Sequence, residues 1–135
     1  MKPNVPDTDV VSYLFKSDSR AVQYMDHLNH RQWLISFMTE AELEQWVLLS
    51  NLAQKRVEWI RIYLLRFVIV PSSRDLVVKW AEVMVSARRD RRRIETTDAW
   101  VAATAILYRA PLATHNTSDY AGVEGLELIT GLAEV

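Results

Sequence analysis

Phe67-Val68-Ile69-Val70-Pro71-Ser72-Ser73 is the stretch whose reading decides the fold class. Its first four residues are aromatic or β-branched and make a short apolar strand. Pro71 ends the strand, because proline has no amide to give to a ladder. Directly after it, Ser73 to Arg89 repeats apolar residues at helical spacing, which predicts a long amphipathic helix. A strand that is apolar throughout, rather than alternating, is buried on both faces. It belongs to a sheet with helices on either side.

The same pattern recurs on both sides of this stretch. Upstream, a short strand around Asn4 and Val5 ends at Asp7, and a helix follows from Asp9 to about Phe15. Arg20 to Leu28 reads as a helix with Ala21, Tyr24, Met25 and Leu28 on one face. Trp33-Leu34-Ile35-Ser36 is a second buried strand, and Thr39 opens a helix that runs to about Leu49. Gln54 to Leu65 is helical, with Val57, Ile60 and Leu64 in step. Downstream, Thr96 or Thr97 caps a helix ending near Tyr108, before Pro111. Leu112-Ala113-Thr114 and Leu126 to Ile129 supply the last short strands. The expected fold is a three-layer α/β/α domain with a central, mostly parallel sheet of about four to five short strands. With 135 residues and no linker or repeat, residues 1–135 are expected to form one domain.

Composition excludes several classes. There is no cysteine, so disulfides, thiolate metal sites and a cysteine nucleophile are out, and a cytoplasmic setting is expected. Asp7 and Asp9 interrupt the start of the chain where a targeting segment would be apolar. The longest apolar stretch, Ile62 to Val70, contains Arg66 and is too short to span a bilayer, so no membrane partner is expected. Net charge is −1, but it is unevenly spread: 11 of the 16 Lys and Arg residues lie between Lys55 and Arg93. From residue 94 onward six acids face one base, Arg109. A basic flank beside an acidic centre is one reading of this segregation; a solvated helix face is the other.

Four acids fall at strand–helix junctions, where sites in such sheets lie. Asp7 ends the first strand, Glu42 lies in the first turns after Thr39, Asp98 follows Thr96-Thr97, and Asp119 sits in Asn116-Thr117-Ser118-Asp119. Each has an ordinary alternative: a cap for Asp7, a capping box with Thr39 for Glu42, a dipole partner for Asp98 and a turn for Asp119. If the junctions share one edge, the carboxylates meet and repel unless a cation joins them. Oxygen-only ligands suit Mg²⁺ or Mn²⁺, ions that stabilise phosphoryl charge and activate water.

These residues carry a family resemblance. Asp7-Thr8-Asp9-Val10-Val11-Ser12-Tyr13-Leu14 resembles the Asp-Thr-Asn-Val-x-Ser-x-Leu of PIN domains. Ser36-Phe37-Met38-Thr39-Glu40-Ala41-Glu42-Leu43 is similar to Ser-x-x-Thr-x-Ala-Glu-Leu, and Asp98-Ala99-Trp100-Val101-Ala102-Ala103 to Asp-x-x-Ile-Ala-Ala. Leu112-Ala113-Thr114-His115-Asn116-Thr117-Ser118-Asp119-Tyr120 looks like Leu-x-Thr-x-Asn-x-x-Asp-Phe. The four motifs keep their order and gaps over nearly the whole chain, and within the family the likeness is to VapC-like toxins of toxin–antitoxin pairs. The resemblance implies a Mg²⁺- or Mn²⁺-dependent ribonuclease acting on an RNA substrate, usually a homodimer, inhibited by a small antitoxin protein. It carries Asp7, Glu42, Asp98 and Asp119 over as the acidic metal site. Asp7 and Asp98 would touch metal directly, Glu42 and Asp119 would bind metal or orient the attacking water, and Thr8, Thr39 and Asn116 would support them by hydrogen bonds.

The chain departs from the pattern in three places. Pro6 stands where the family has an apolar residue, and is expected to interrupt a central first strand. Asp9 replaces the usual Asn and adds negative charge. Arg92-Arg93-Ile94-Glu95 lacks the family's two glycines. A catalytically degenerate PIN domain, acting as an RNA- or protein-binding module, is therefore the alternative function.

Arg88, Arg89, Arg91, Arg92 and Arg93 are candidate RNA contacts, or a helix end dressed to suit its dipole. Trp33, Trp46, Trp59, Trp80 and Trp100 read as core or interface anchors more readily than as base-stacking surfaces; Trp46 and Trp59 lie on helices suited to a dimer or antitoxin groove. His27, His30 and His115 show no ligand spacing, and Arg31 and Tyr120 receive no role. A haloacid-dehalogenase-like phosphatase or a receiver domain would need a downstream lysine, and none follows Lys79.

Overall fold

The computed structural model describes residues 2–24 and 31–131. Among them run β1 (Lys2–Pro6), α1 (Thr8–Phe15), a 3₁₀ turn (Ser19–Tyr24), β2 (Arg31–Ser36), α2 (Phe37–Leu49) and α3 (Gln54–Leu64). There follow β3 (Val68–Val70), α4 (Arg74–Arg89), α5 (Thr96–Leu107), β4 (Leu112–Ala113), a second 3₁₀ turn (Thr117–Tyr120) and β5 (Leu128–Ile129). The five strands form one parallel sheet in the order β3-β2-β1-β4-β5.

The pleat sends alternate side chains to opposite faces. Val5, Leu34 and Leu112 point into a core with Leu76 and Val83 of α4 and Ala99 and Ala102 of α5. Trp33, Ile35 and Ala113 point the other way, onto Val10, Val11 and Phe15 of α1, Leu43 of α2 and Ile60 of α3. Both faces are covered over β1, β2 and β4, but at the edge strand β3 only Val70 is buried while Val68 and Ile69 are exposed, so the expectation that this apolar strand is buried on both faces fails there. Trp33 is a core residue, while Trp46 is half-buried against Phe15 and Trp59 is exposed beside Tyr63. Trp80 and Trp100 stack on each other across α4 and α5, ring centroids 5.1 Å apart, and Phe37 meets Trp100 edge-on.

Several boundaries differ from the sequence reading. The helix expected to open at Thr39 begins at Phe37, because Ser36 has extended backbone and its hydroxyl accepts from the Met38 amide at 3.0 Å. The capping-box role for Thr39 and Glu42 is thereby overturned: both lie inside the helix. Glu95, not Thr96 or Thr97, is the cap of α5, and its side chain makes no cap bond. The helix expected from Arg20 to Leu28 is a 3₁₀ turn from Ser19 to Tyr24, with Ala21 and Tyr24 buried; Met25 and Leu28 lie outside the described residues.

Pro6 does not break β1 on the β4 side. The Val5 and Asp7 amides donate to Pro111 and Ala113 carbonyls at 3.0 and 2.9 Å, and Pro6 stays in register with Ala113. Amides alternate sides along a strand, so the one proline lacks would have faced β2, where the pairing register ends at Asn4 opposite Trp33.

Four helices end in a left-handed residue that is not glycine: Ser17, Asn51, Arg91 and Arg109, with φ of 54°, 48°, 55° and 51°. After α4 the Arg92 amide reaches back to the Ala87 carbonyl at 2.8 Å, the six-residue closure of a Schellman end. Arg91 bears the steric cost of a Cβ there. Arg91→Gly is expected to raise stability by about 0.5–1 kcal/mol, read as a higher urea midpoint at unchanged slope.

Candidate active site

Parallel connectivity brings the carboxyl ends of β1, β2 and β4 to one edge, where the N-terminus of α5 also lies. Asp7 stands immediately after β1 and caps α1: its Oδ1 accepts from the Val10 amide at 2.9 Å. Its Oδ2 accepts from the Thr114 hydroxyl, just past β4, at 2.6 Å. The cap reading of Asp7 is borne out by the Val10 bond, and its second oxygen is held from another strand. Thr114 is fully buried and its hydroxyl also accepts from the Asn116 amide at 2.9 Å, so it ties the strand end to the loop that carries Asp119.

Glu42 projects from the second turn of α2. Thr8, the first residue of α1, donates to Glu42 Oε1 at 2.7 Å and lies 3.1 Å from the buried Thr39 hydroxyl. Of the three expected supporting residues, Thr8 bonds Glu42 directly, and Thr39 lies against Thr8. The third, Asn116, does not reach any of the four acids; its Nδ2 donates to Asp9 Oδ2 at 3.2 Å. Asp98 lies in the first turn of α5 and Asp119 on the exposed 3₁₀ turn after β4. Among the described residues, neither carboxylate takes part in a hydrogen bond or salt bridge.

Electrostatics show that these groups share a neighbourhood. Burial pushes Asp7 up to about 7; the Thr114 and Val10 hydrogen bonds oppose it, and Asp9 and Asp98 add to it. Asp98 is raised to about 6, by burial first and then by Asp119, Glu42 and Asp9. Asp9, expected to add charge near the site, does so for both. Tyr120, left without a role in the sequence, is buried in the core, and burial, then Asp7, Asp98 and Asp119, hold its phenol far above the ordinary value. His115 is instead occupied away from the acids, with Nδ1 on the Tyr24 hydroxyl and its ring edge-on to Tyr13.

The donor set is carboxylate and hydroxyl oxygen only, and no arginine or lysine stands among the main influences on Asp7 or Asp98. Among the described residues no group of three or more Asp, Glu or His side chains is placed close enough together to hold a metal ion. The chemistry fits a hard cation that keeps water in part of its coordination sphere, as Mg²⁺ does. Arg88, Arg89, Arg91, Arg92 and Arg93 are all exposed, Arg88 and Arg89 in the last turn of α4.

Thr114 was missed as a site residue because its partner lies 107 positions away. Its signals were its place at the end of a short strand and its match to the threonine of the fourth motif, neither of which was given a role. Thr114→Val is expected to cost about 1–3 kcal/mol, since a buried carboxyl loses its donor. The Asp7 pKa, followed by carbon-detected NMR, should move further up, because the bond removed is the largest influence holding it down.

A parallel α/β sheet with buried, mutually repelling acids at its carboxyl edge defines a class of fold and site rather than a particular protein. The PIN domain profile matches residues 5–125, and the chain belongs to that family. It is 29% identical over 101 residues to Ribonuclease VapC4 of Mycobacterium tuberculosis, covering 73% of this chain and 77% of that one. It is 22% identical over 123 residues to Ribonuclease VapC1 of Haemophilus influenzae, covering 90% and 92%. The fold superposes on VapBC2 of Rickettsia felis, solved with a promoter DNA fragment, with a TM-score of 0.83 at 22% identity over 95% of this chain and 98% of that one. A toxin–antitoxin complex from Klebsiella pneumoniae gives 0.70 at 27% identity over 95% and 97%.

Proposed function

We propose that this chain is a single-domain, divalent-metal-dependent endoribonuclease, the toxin of a toxin–antitoxin pair. The observation that supports the reading is that Asp7 and Asp98, at strand and helix ends of one sheet edge, are both raised toward neutrality by burial and by neighbouring carboxylates, Asp9 and Asp98 for Asp7 and Asp119, Glu42 and Asp9 for Asp98. Such a pocket is at odds with itself until a cation enters. Relatives named ribonuclease support RNA as the substrate.

Asp7 and Asp98 would hold Mg²⁺ or Mn²⁺. When bound, the ion neutralises developing charge on the phosphate and makes water a better nucleophile. The protein's own contribution is positional. Val10 and Thr114 fix both oxygens of Asp7, and Thr8 fixes Glu42. Asp119 is exposed on its turn and free to orient the attacking water or take its proton. The first-turn amides of α5 add positive dipole beside a phosphate. The exposed arginines from Arg88 to Arg93 offset substrate charge, so binding should weaken with salt.

The antitoxin is assigned to the outer surface of α2 and α3, where Leu48, Leu49, Trp59, Ile62 and Leu65 are exposed together. Apolar surface of this kind marks a protein interface. Solved neighbours that are VapBC or toxin–antitoxin complexes support such a partner. A homodimer and a cytoplasmic location complete the proposal; among the described residues no helix is long and apolar enough to cross a membrane.

The test is incubation of purified, partner-free protein with total RNA and with a tRNA pool, in Mg²⁺, Mn²⁺ or EDTA. Discrete fragments that require metal support the reading. No cleavage with either metal, from folded protein, returns the chain to a binding module.

A further inference from the structure

The chain leaving β4 is held by three successive side chains. Thr114 donates to Asp7 at 2.6 Å and Asn116 to Asp9 at 3.2 Å. Between them stands His115, at a position the family motif leaves open. Its Nδ1 meets the hydroxyl of Tyr24, a fully buried residue 91 positions earlier. The Gly131 amide, just past β5, donates to the same Tyr24 oxygen at 3.4 Å. That leaves the Tyr24 proton for His115 Nδ1, and the neutral ring carries its own proton on Nε2. Burial, then Arg20, holds His115 below its ordinary value against Asp18 and Asp9, so Nδ1 stays an acceptor at neutral pH. Nε2 is sealed in the interior with no hydrogen-bond partner. Among the described residues Tyr24 is therefore the polar hold on the ring. Tyr13 meets that ring edge-on, centroids 5.4 Å apart, and the Arg20 guanidinium lies 3.9 Å over Tyr13.

We propose that His115 is a positioning residue for the nuclease: its bond to Tyr24 sets the course of the chain from Thr114 to Asn116, and so where Thr114 meets Asp7 and where Asp119 stands. The relay is short. The Asn116 amide donates to the Thr114 hydroxyl oxygen at 2.9 Å, and the Asp119 amide to the Asn116 carbonyl at 3.1 Å. The sheet does not fix this course by itself. Strand β4 ends at Ala113, and the bond from the Thr114 amide to the Ile129 carbonyl, at 2.9 Å, lies upstream of His115. A His115 ring released from Tyr24 frees the backbone that joins the Thr114 and Asn116 contacts. Displacements of about 1 Å around a reacting centre are enough to cost orders of magnitude in rate. His115 acts only through its neighbours. The inference rests on the nuclease reading, and adds to it a residue that the family motif does not specify.

His115→Phe and Tyr24→Phe each remove the bond and keep a ring, and His115→Asn keeps an acceptor near the place of Nδ1. Two readouts separate the claims. The first needs neither metal nor RNA: amide hydrogen exchange followed by NMR. In both Phe variants the Asn116 amide should exchange about five- to tenfold faster, and in His115→Asn near the wild-type rate. The second is single-turnover cleavage of total RNA in Mn²⁺ over a range of enzyme concentrations. The maximal rate should fall about tenfold in each Phe variant with half-saturation unchanged. The double variant should be no slower than either single one, and His115→Asn should recover most of the loss. His115 is half-buried, so its two variants decide the matter even if Tyr24→Phe misfolds. Faster exchange with an undiminished rate would overturn the positioning role and leave the nuclease assignment standing. Unchanged exchange in folded Phe variants, or losses that add, would overturn the bond's part in holding the loop. Wild type that cuts no RNA overturns the nuclease assignment, and the positioning role with it, whatever the exchange rates.

Discussion

Asp98→Asn leaves the protein folded and lowers metal-dependent RNA cleavage by about 10²–10³-fold, the usual cost of removing one preorganised charge-stabilising group. The substitution is nearly isosteric, and Asp98 makes no hydrogen bond or salt bridge among the described residues that its loss would break. It also sits among Asp119, Glu42 and Asp9, which oppose its charge. A neutral amide relieves that repulsion, so the melting temperature in the absence of metal should hold or rise. Single-turnover rates for both proteins, each with Mn²⁺ and with EDTA, check the prediction. Cleavage that survives in the mutant would trace to a contaminating nuclease and remove Asp98 from the mechanism.

The second large effect is on stability. Asp7 has a native pKa of about 7 against an ordinary 3.8. Its folded form holds a proton that the unfolded chain has already released between those values. The native state binds more protons in that window, so stability falls as pH rises from about 4 to about 7 and is level above it. A displacement of about three pH units corresponds to roughly 4 kcal/mol at most. Asp7→Asn should therefore flatten the dependence of melting temperature on pH between 4 and 7; its single amide oxygen serves only one of the two donors, Val10 N–H and the Thr114 hydroxyl, which offsets part of the gain at pH 8. The same mutant should lose cleavage. Adding Mn²⁺ should raise the melting temperature of wild type, by an amount that grows with the ratio of metal to its dissociation constant, and leave Asp7→Asn nearly unmoved. A wild-type protein whose stability ignores both pH and metal would show that Asp7 is not a strained ligand.

These two residues were legible before any coordinates, and for a physical reason. Acids at the ends of short apolar strands are visible as local pattern, and parallel topology then gathers them. Strand β3 and helix α4 were legible for the same cause, since β-branched residues and helical periodicity are short-range signals. What escaped was non-local or evenly contested. Ser36 and Thr39 both offer a hydroxyl near a helix start; extended backbone at the end of β2 decides for Ser36, and releases Thr39 to meet Thr8 from another helix. Thr114 takes its meaning from Asp7, 107 positions earlier. Asn116 looked like a support for the four acids and turned to Asp9, because the loop after β4 is folded over its own Thr114.

The bond from Thr114 to Asp7 joins the beginning of the chain to its last quarter. A growing polypeptide leaving the ribosome carries Asp7 long before it carries Thr114 or Asp119. The order of synthesis therefore sets an order of assembly: the carboxyl edge of the sheet cannot be completed until β4 and the turn that follows it have been made.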